Sequence, residues 1–183
     1  MTGQPPIRVL SPRAREIAAT ARMVLEAEGS EAVTMRRLAA ELGIRAPSLY
    51  KHFASKQAVE TVLIDGALHE VGILGHRAVA EAGDEGPVVA LLRAYRSYGI
   101  AHPHLYRLVT NGHLHRDDLT PGLESWAGTP WFLATGEPYC AQALWAFAHG
   151  TVSLEIDQRF LDGSDLDRTW AAGGAAFSDP KDS

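Results

Sequence analysis

A chain of 183 residues with a single cysteine, Cys140, has no internal disulfide framework, and at this length one hydrophobic core suffices without a metal staple. No apolar run approaches the roughly 20 residues of a membrane span and the amino end lacks a signal peptide's apolar core, so a soluble, cytoplasmic chain without a membrane partner is expected. The net charge of −5 hides an asymmetry: residues 1–60 carry nine Lys/Arg against six Glu, and the remainder carries eight basic and sixteen acidic residues. Positive charge gathered at one end suits a local nucleic-acid module and argues against a general polyanion binder.

Residues 1–10 contain two prolines and no hydrophobic period, which predicts a loose arm. From Pro12 to Glu28, Ile17, Ala21, Val24 and Leu25 fall at helical spacing, and Gly29 ends that helix. A second helix is predicted from Thr34 to about Leu42, with Met35, Leu38, Ala39 and Leu42 on one face. Gly43 stops it, because glycine accepts the left-handed backbone that helix ends need. A third restarts near Pro47, where the missing amide proton has no intrahelical use. Leu49 and Phe53 would bury against the second helix, leaving Arg45, Ser48, Lys51 and His52 outward.

Ser55 is a plausible N-cap for a long helix to about Ala82, with Val59, Leu63, Ala67 and Leu74 on one side. Its glycines at 66, 72 and 75 would either loosen it or permit close packing. The breaker GDEGP (83–87) precedes an amphipathic helix carrying Val88, Leu91, Leu92, Tyr95 and Tyr98. His102-Pro103 punctuates, and a shorter helix runs to about Asn111. Residues 112–137, rich in Gly and Pro, predict one or two short helices. Residues 138–162 are apolar almost all round, as in a helix buried by its own core and by a partner chain. Ser164 and Asp167 form a capping-box pattern for a last helix, with Leu166, Trp170 and Phe177 in phase. The reading is all-α.

The run Leu49-Tyr50-Lys51-His52-Phe53-Ala54-Ser55-Lys56, preceded by Leu38-Ala39 and Gly43-Ile44, resembles the DNA-binding domain of TetR-type transcriptional regulators. Further on, Trp145, His149 and Gly150 are similar to the Trp-x-x-x-His-Gly signature of one subclass of TetR-type C-terminal domains. Together the two resemblances span Ser11 to Phe177. They imply an N-terminal three-helix helix-turn-helix domain, with its arm, over residues 1–56. A connector helix and a C-terminal effector-binding and dimerisation domain would fill 57–183.

Arg45 and Lys51 are candidates for base edges, since long cationic side chains suit guanine O6/N7, and Arg36 could reach a base or a phosphate. The resemblance places Pro47 and Ser48 at the groove surface and Thr34, Tyr50, His52 and Lys56 on backbone phosphates. Hydroxyl, imidazole and ammonium groups are ordinary phosphate partners. Ala46 offers no hydrogen bond, so specificity leans on Arg45 and Lys51.

Tyr95, Tyr98, Tyr106, Trp126, Trp131 and Trp145 make the C-terminal part aromatic-rich, which suggests a pocket for a small apolar or aromatic effector. His149 reads as a packing element that could touch that effector. The resemblance implies dimerisation through the last two long helices, for which Val152, Leu154, Ile156, Phe160, Trp170 and Phe177 are the candidates. A regular helix in relatives is interrupted here by Pro121, Gly122, Gly128 and Pro130.

No enzyme is expected: Gly-x-Ser-x-Gly, P-loop and Gly-x-Gly-x-x-Gly patterns are missing, and no cofactor motif occurs. His69-Glu70 begins a zincin-like pattern that Ile73 does not complete. The pairs His102/His104 and His113/His115, with Asp117 and Asp118, would need a strand to point both rings one way, so no metal is expected. Cys140 reads as a buried small hydrophobe. The expected function is a homodimeric, ligand-responsive repressor on a palindromic operator. Its rivals are a metal-dependent or hydrolytic helical enzyme and an effector-less helical interaction protein.

Overall fold

The computed structural model describes residues 3–111 and 114–178. His113, half of the second His-x-His pair, lies outside the described residues. Among those described there are nine α-helices and no strand: α1 (Pro12–Glu28), α2 (Met35–Glu41), α3 (Ala46–Leu49), α4 (Lys56–Ala80), α5 (Pro87–Ala101), α6 (Pro103–Thr110), α7 (Leu123–Thr135), α8 (Pro138–Ile156) and α9 (Leu166–Ser178). No helix among these residues is long and apolar enough to cross a membrane. The chain forms two compact units. Unit 1 holds Met1–His69 and His102–Glu124, and unit 2 holds Glu70–Ala101 and Ser125–Ser183.

In unit 1, the Ser11 side chain accepts from the Ala14 amide and starts α1, whose Ile17, Ala21 and Leu25 are wholly buried. The same core takes Val33, Leu38, Leu49, Phe53, Val59 and Leu63, and α6 adds Leu105 and Tyr106. His102 Nδ1 lies 3.0 Å from Glu26, tying the start of α6 to α1. Residues 3–10 are not the loose arm their composition suggested. The buried Asp65 carboxylate accepts from Arg8 Nε (2.6 Å), the Thr120 amide (3.0 Å) and the Thr120 hydroxyl (2.9 Å). Arg8 also donates to the Asp118 carbonyl at 2.6 Å, and His69 Nε2 donates to the Pro5 carbonyl at 3.2 Å. A buried charge needs partners, and here the arm supplies one of them.

Unit 2 is assembled at glycines. A Cβ on Gly72 would stand 2.2 Å from the Trp126 ring, and one on Gly75 would stand 3.0 Å from Pro130, so these two positions of α4 permit close packing on α7. Gly66, in unit 1, has nothing within 4 Å of the equivalent point. In the same way Gly173 admits the Phe147 ring and Gly174 admits Val89, seating α9 against α8 and α5.

Pro130 does not break α7. A mid-helix proline removes the amide that would serve the carbonyl four residues earlier. That carbonyl, of Trp126, accepts instead from His76 Nε2 at 3.1 Å, and the His76 ring stacks on Trp126 with centroids 4.9 Å apart. Three other expectations are corrected. The helix α8 ends at Ile156, not near 162. The cap of α9 is Asp165, which accepts from the Arg168 amide, and not the Ser164/Asp167 pair. Cys140 is exposed at the first turn of α8, where Glu137 caps the helix by accepting from the Cys140 amide at 2.7 Å.

Candidate nucleic-acid interface

The α2–α3 hairpin is shaped by a side-chain cap and backbone bonds. Thr34 Oγ1 accepts from the Arg37 amide and begins α2. At its end Gly43 takes φ +62°, with Gly43 N–H donating to Ala40 and Ile44 N–H to Ala39. That crossed pair satisfies the last carbonyls and turns the chain sharply. Arg45 follows in extended backbone as the N-cap of α3, with Pro47 in the first turn. Regular helix stops at Leu49, but Phe53 N–H still donates to the Leu49 carbonyl at 3.0 Å, so Tyr50, Lys51 and His52 ride on one further turn. Leu49 and Phe53 are buried and lock that turn onto α2.

Thr34, Arg36, Arg45, Pro47, Ser48, Tyr50, Lys51 and His52 are exposed, and Ala46 is half-buried. Among the described residues Arg36, Arg45 and Lys51 form no ion pair. Arg37 contrasts with them, since its guanidinium lies 2.7 Å from Glu28 and 2.9 Å from Glu41. Lys56 is partly engaged: its ammonium donates to the Ser30 carbonyl at 2.8 Å and sits 3.4 Å from Glu60. An ammonium has three donors, so one remains for an outside acceptor. The surface is therefore a set of uncommitted cations, hydroxyls and one imidazole on a rigid turn, a composition suited to phosphates and base edges.

The aromatic residues expected around an effector do not gather in one place. Tyr95, Tyr98 and Trp131 line a cavity in unit 2 together with Leu74, Leu91 and Pro130, but its volume is about 10 Å³. That is room for roughly one water. The Tyr95 and Trp131 rings meet edge to face at 5.1 Å, and the Tyr98 hydroxyl donates to Glu70 at 2.9 Å. Tyr106 belongs to the core of unit 1, and Trp126 is packed against Gly72 and His76. Trp145 is 46% exposed and stacks on the half-buried His149, so neither lines that cavity. Burial pushes the His149 imidazole below its ordinary value.

The expected dimer residues divide as well. Val152 is fully buried and Trp170 nearly so, both inside the protomer, with Trp170 edge-on to Phe147 and donating to Glu155. Phe177 lies half-buried on Phe147, while Ile156 and Phe160 are half-buried and Leu154 is exposed. Periodicity could not sort these residues, because α8 is apolar on every side. Its large apolar side chains that remain exposed are Tyr139 (77% exposed), Trp145 and Leu154, and Phe132 and Leu133 of α7 are exposed as well. Among the described residues no group of three His, Cys, Asp or Glu could hold a metal ion.

Comparison with known proteins agrees with this architecture. Residues 17–59 match the family model of bacterial regulatory proteins of the tetR family, and residues 88–177 match the tetracyclin repressor-like C-terminal domain. The chain belongs to the tetR family, whose members are transcriptional regulators and not enzymes. An uncharacterized HTH-type transcriptional regulator of Mycobacterium tuberculosis is 28% identical over 141 residues, 72% of this chain; the match spans 65% of that protein's length. A solved protein of unknown function from Rhodococcus sp. RHA1 superposes with a TM-score of 0.76 at 24% identity, covering 92% of this chain and 94% of its own. The TetR family regulator PfmR from Thermus thermophilus gives 0.62 at 19% identity, with 88% and 96% covered. The two structural likenesses are likenesses of fold.

Proposed function

We infer that this regulator acts as a cytoplasmic homodimer that lays two copies of α3 into successive major grooves of a palindromic operator, roughly 34 Å apart. Residues 1–56 form the DNA-reading part, and 57–183 the connector, effector-binding and dimerisation part. Arg45 and Lys51 read base edges, with Arg36 on a base or phosphate. Ala46, Pro47 and Ser48 line the groove, while Thr34, Tyr50, His52 and the spare donor of Lys56 hold phosphates. The observation that supports this most is the contrast between Arg36, Arg45 and Lys51, which form no ion pair among the described residues, and Arg37 beside them, whose Nη2 lies close to both Glu28 and Glu41.

Dimerisation through α8 is supported by its exposed Tyr139, Trp145 and Leu154, by the exposed Phe132 and Leu133 of α7, and by the exposed small residues Ala143 and Ala146 of α8. Large exposed apolar patches are unusual on a monomer, and small residues let a second helix approach closely. The output is repression, relieved by a small apolar or aromatic effector that prefers a different spacing of the two reading heads. The Tyr95/Tyr98/Trp131 core is a candidate seat only after opening, because it is filled when closed. Moving occupancy from mostly bound to mostly free needs a differential affinity of a few kcal/mol.

Gel shifts against the DNA flanking the gene test the reading. One fragment should be retained over random DNA at moderate ionic strength, and sedimentation should give a dimer. A monomer with no sequence preference would overturn it.

A further inference from the structure

Unit 2 contains a second and much larger recess than its aromatic core. Between α5 and α9, with Glu155 of α8 at its base, runs a cleft of about 650 Å³. That volume lies within the range of roughly 300–1,000 Å³ typical of small-molecule sites. Val89, Leu92, Ile100 and Ala171 are its apolar lining, and Arg93 and Arg96 are its cations, Arg96 lying between Leu92 and Ile100 along α5. Leu92 belongs to the core, whereas Ile100 and Ala171 are open to solvent.

The hydrogen bonds of Arg96 are unequal. Its Nε and Nη2 donate to Glu155, at 3.0 and 2.7 Å for the shorter contacts, and Glu155 also accepts from Trp170 Nε1 at 3.0 Å. The guanidinium lies over the Trp170 ring, 5.6 Å from its centroid. Glu155 is only 13% exposed, so this inner pair is fixed in place. The remaining Nη1 donates to Asp167 at 2.6 Å, and Asp167 is 87% exposed. An ion pair with so exposed a partner is worth little and is readily exchanged. A guanidinium so held presents its outer edge in the geometry that a carboxylate prefers.

We propose that the α5–α9 cleft is a binding site for an amphipathic monocarboxylate, its hydrocarbon or aryl body on Val89, Leu92, Ile100 and Ala171, and its carboxylate replacing Asp167 on Arg96. The effector role of that ligand rests on the regulator reading above; the binding does not. The site needs no rearrangement of the core, only rotation of one solvent-facing aspartate. A ligand there bridges α5 to the second turn of α9, at Ala171.

The whole chain, without DNA, is titrated calorimetrically with decanoate, decanol and decylammonium. Decanoate should bind about tenfold more tightly than decanol, and decylammonium should bind least. Asp167→Asn removes the competing carboxylate and should tighten decanoate about threefold. Ala171→Trp fills the cleft from the solvent side and should weaken decanoate at least about tenfold at unchanged melting temperature. Arg96→Gln should abolish the preference for acid over alcohol; should that variant fail to fold, the other two still decide. No saturable binding at about 1 mM, equal affinity for acid and alcohol, preference for the ammonium, or indifference to Ala171→Trp would each overturn the site. Operator gel shifts with and without decanoate are run separately. Binding that leaves the operator complex intact removes the effector role alone, and failure to hold any operator removes the regulator reading alone.

Discussion

The α2–α3 hairpin and the α5–α9 region use arginine in opposite ways. Around the hairpin, Arg36 and Arg45 stand exposed without ion pairs among the described residues, and only Arg37 is shared between carboxylates. In α5, Arg93 is paired with Glu85, and Arg96 with both Glu155 and Asp167. The first arrangement leaves charge available to a polyanion outside the chain, and the second uses charge to fasten helices of one unit together. The sequence asymmetry, basic at the amino end and acidic beyond it, is thus a difference in how charges are committed as well as in their number. Glycine shows a parallel contrast: Gly43 turns a backbone in unit 1, while Gly72 and Gly173 make room for aromatic rings in unit 2.

The largest effect should come from the glycine contrast. Gly72→Leu forces a branched side chain into Trp126 and should yield no folded protein, and Gly72→Ala should cost about 1–3 kcal/mol by urea denaturation. Gly66→Ala, six residues earlier and with open space around it, should instead stabilise by about 0.5–1 kcal/mol. Equal behaviour of the two positions would remove the close-packing account of α7. Next comes the proline helix. His76→Ala leaves the Trp126 carbonyl without its donor and should cost about 1–3 kcal/mol. Pro130→Ala restores a backbone amide there, so in a double-mutant cycle it should recover part of that loss.

On the hairpin side, Arg45→Ala should cost about 1–3 kcal/mol of discrimination at one base position, read by footprinting on base-substituted operators. Unchanged base preference would move Arg45 to the phosphates. Lys56→Ala should weaken binding to all sequences alike and lower the salt slope by about one. Smallest is the effect of His149. Its native imidazole favours the neutral form, so as pH falls the unfolded chain takes up the proton first. Its contribution to stability is complete above about pH 6.5 and declines below that. Urea denaturation between pH 8 and 5 should show a shallower acid decline in His149→Gln than in the unaltered protein.

Most of unit 1 could be read in advance because its signals are local. Ser11, Thr34 and Ser55 each cap a helix through a bond spanning three residues, and Gly43 turns the chain through bonds spanning three and five. The helical period of Ile17, Ala21 and Leu25 then identifies the buried face without further information. Unit 2 resisted because its decisive contacts are remote. Pro130 looks like a helix breaker until His76, 54 positions earlier, supplies the missing donor. Trp145 and Val152 are equally apolar in sequence, yet one stands at the surface and the other in the core, and an all-round apolar helix carries no phase to tell them apart. The candidate DNA-reading side chains fell on the legible side of this divide, and the α5–α9 cleft on the other.

The tether from Arg8 to Asp65 fastens residues 3–10 onto unit 1, although their backbone is extended and most of their side chains are exposed. Trimming them to obtain a tidier protein would strand a carboxylate away from water with Thr120 as its remaining anchor. A shortened chain would therefore report on a weakened α4, and its DNA affinity could not be compared directly with that of the unshortened chain.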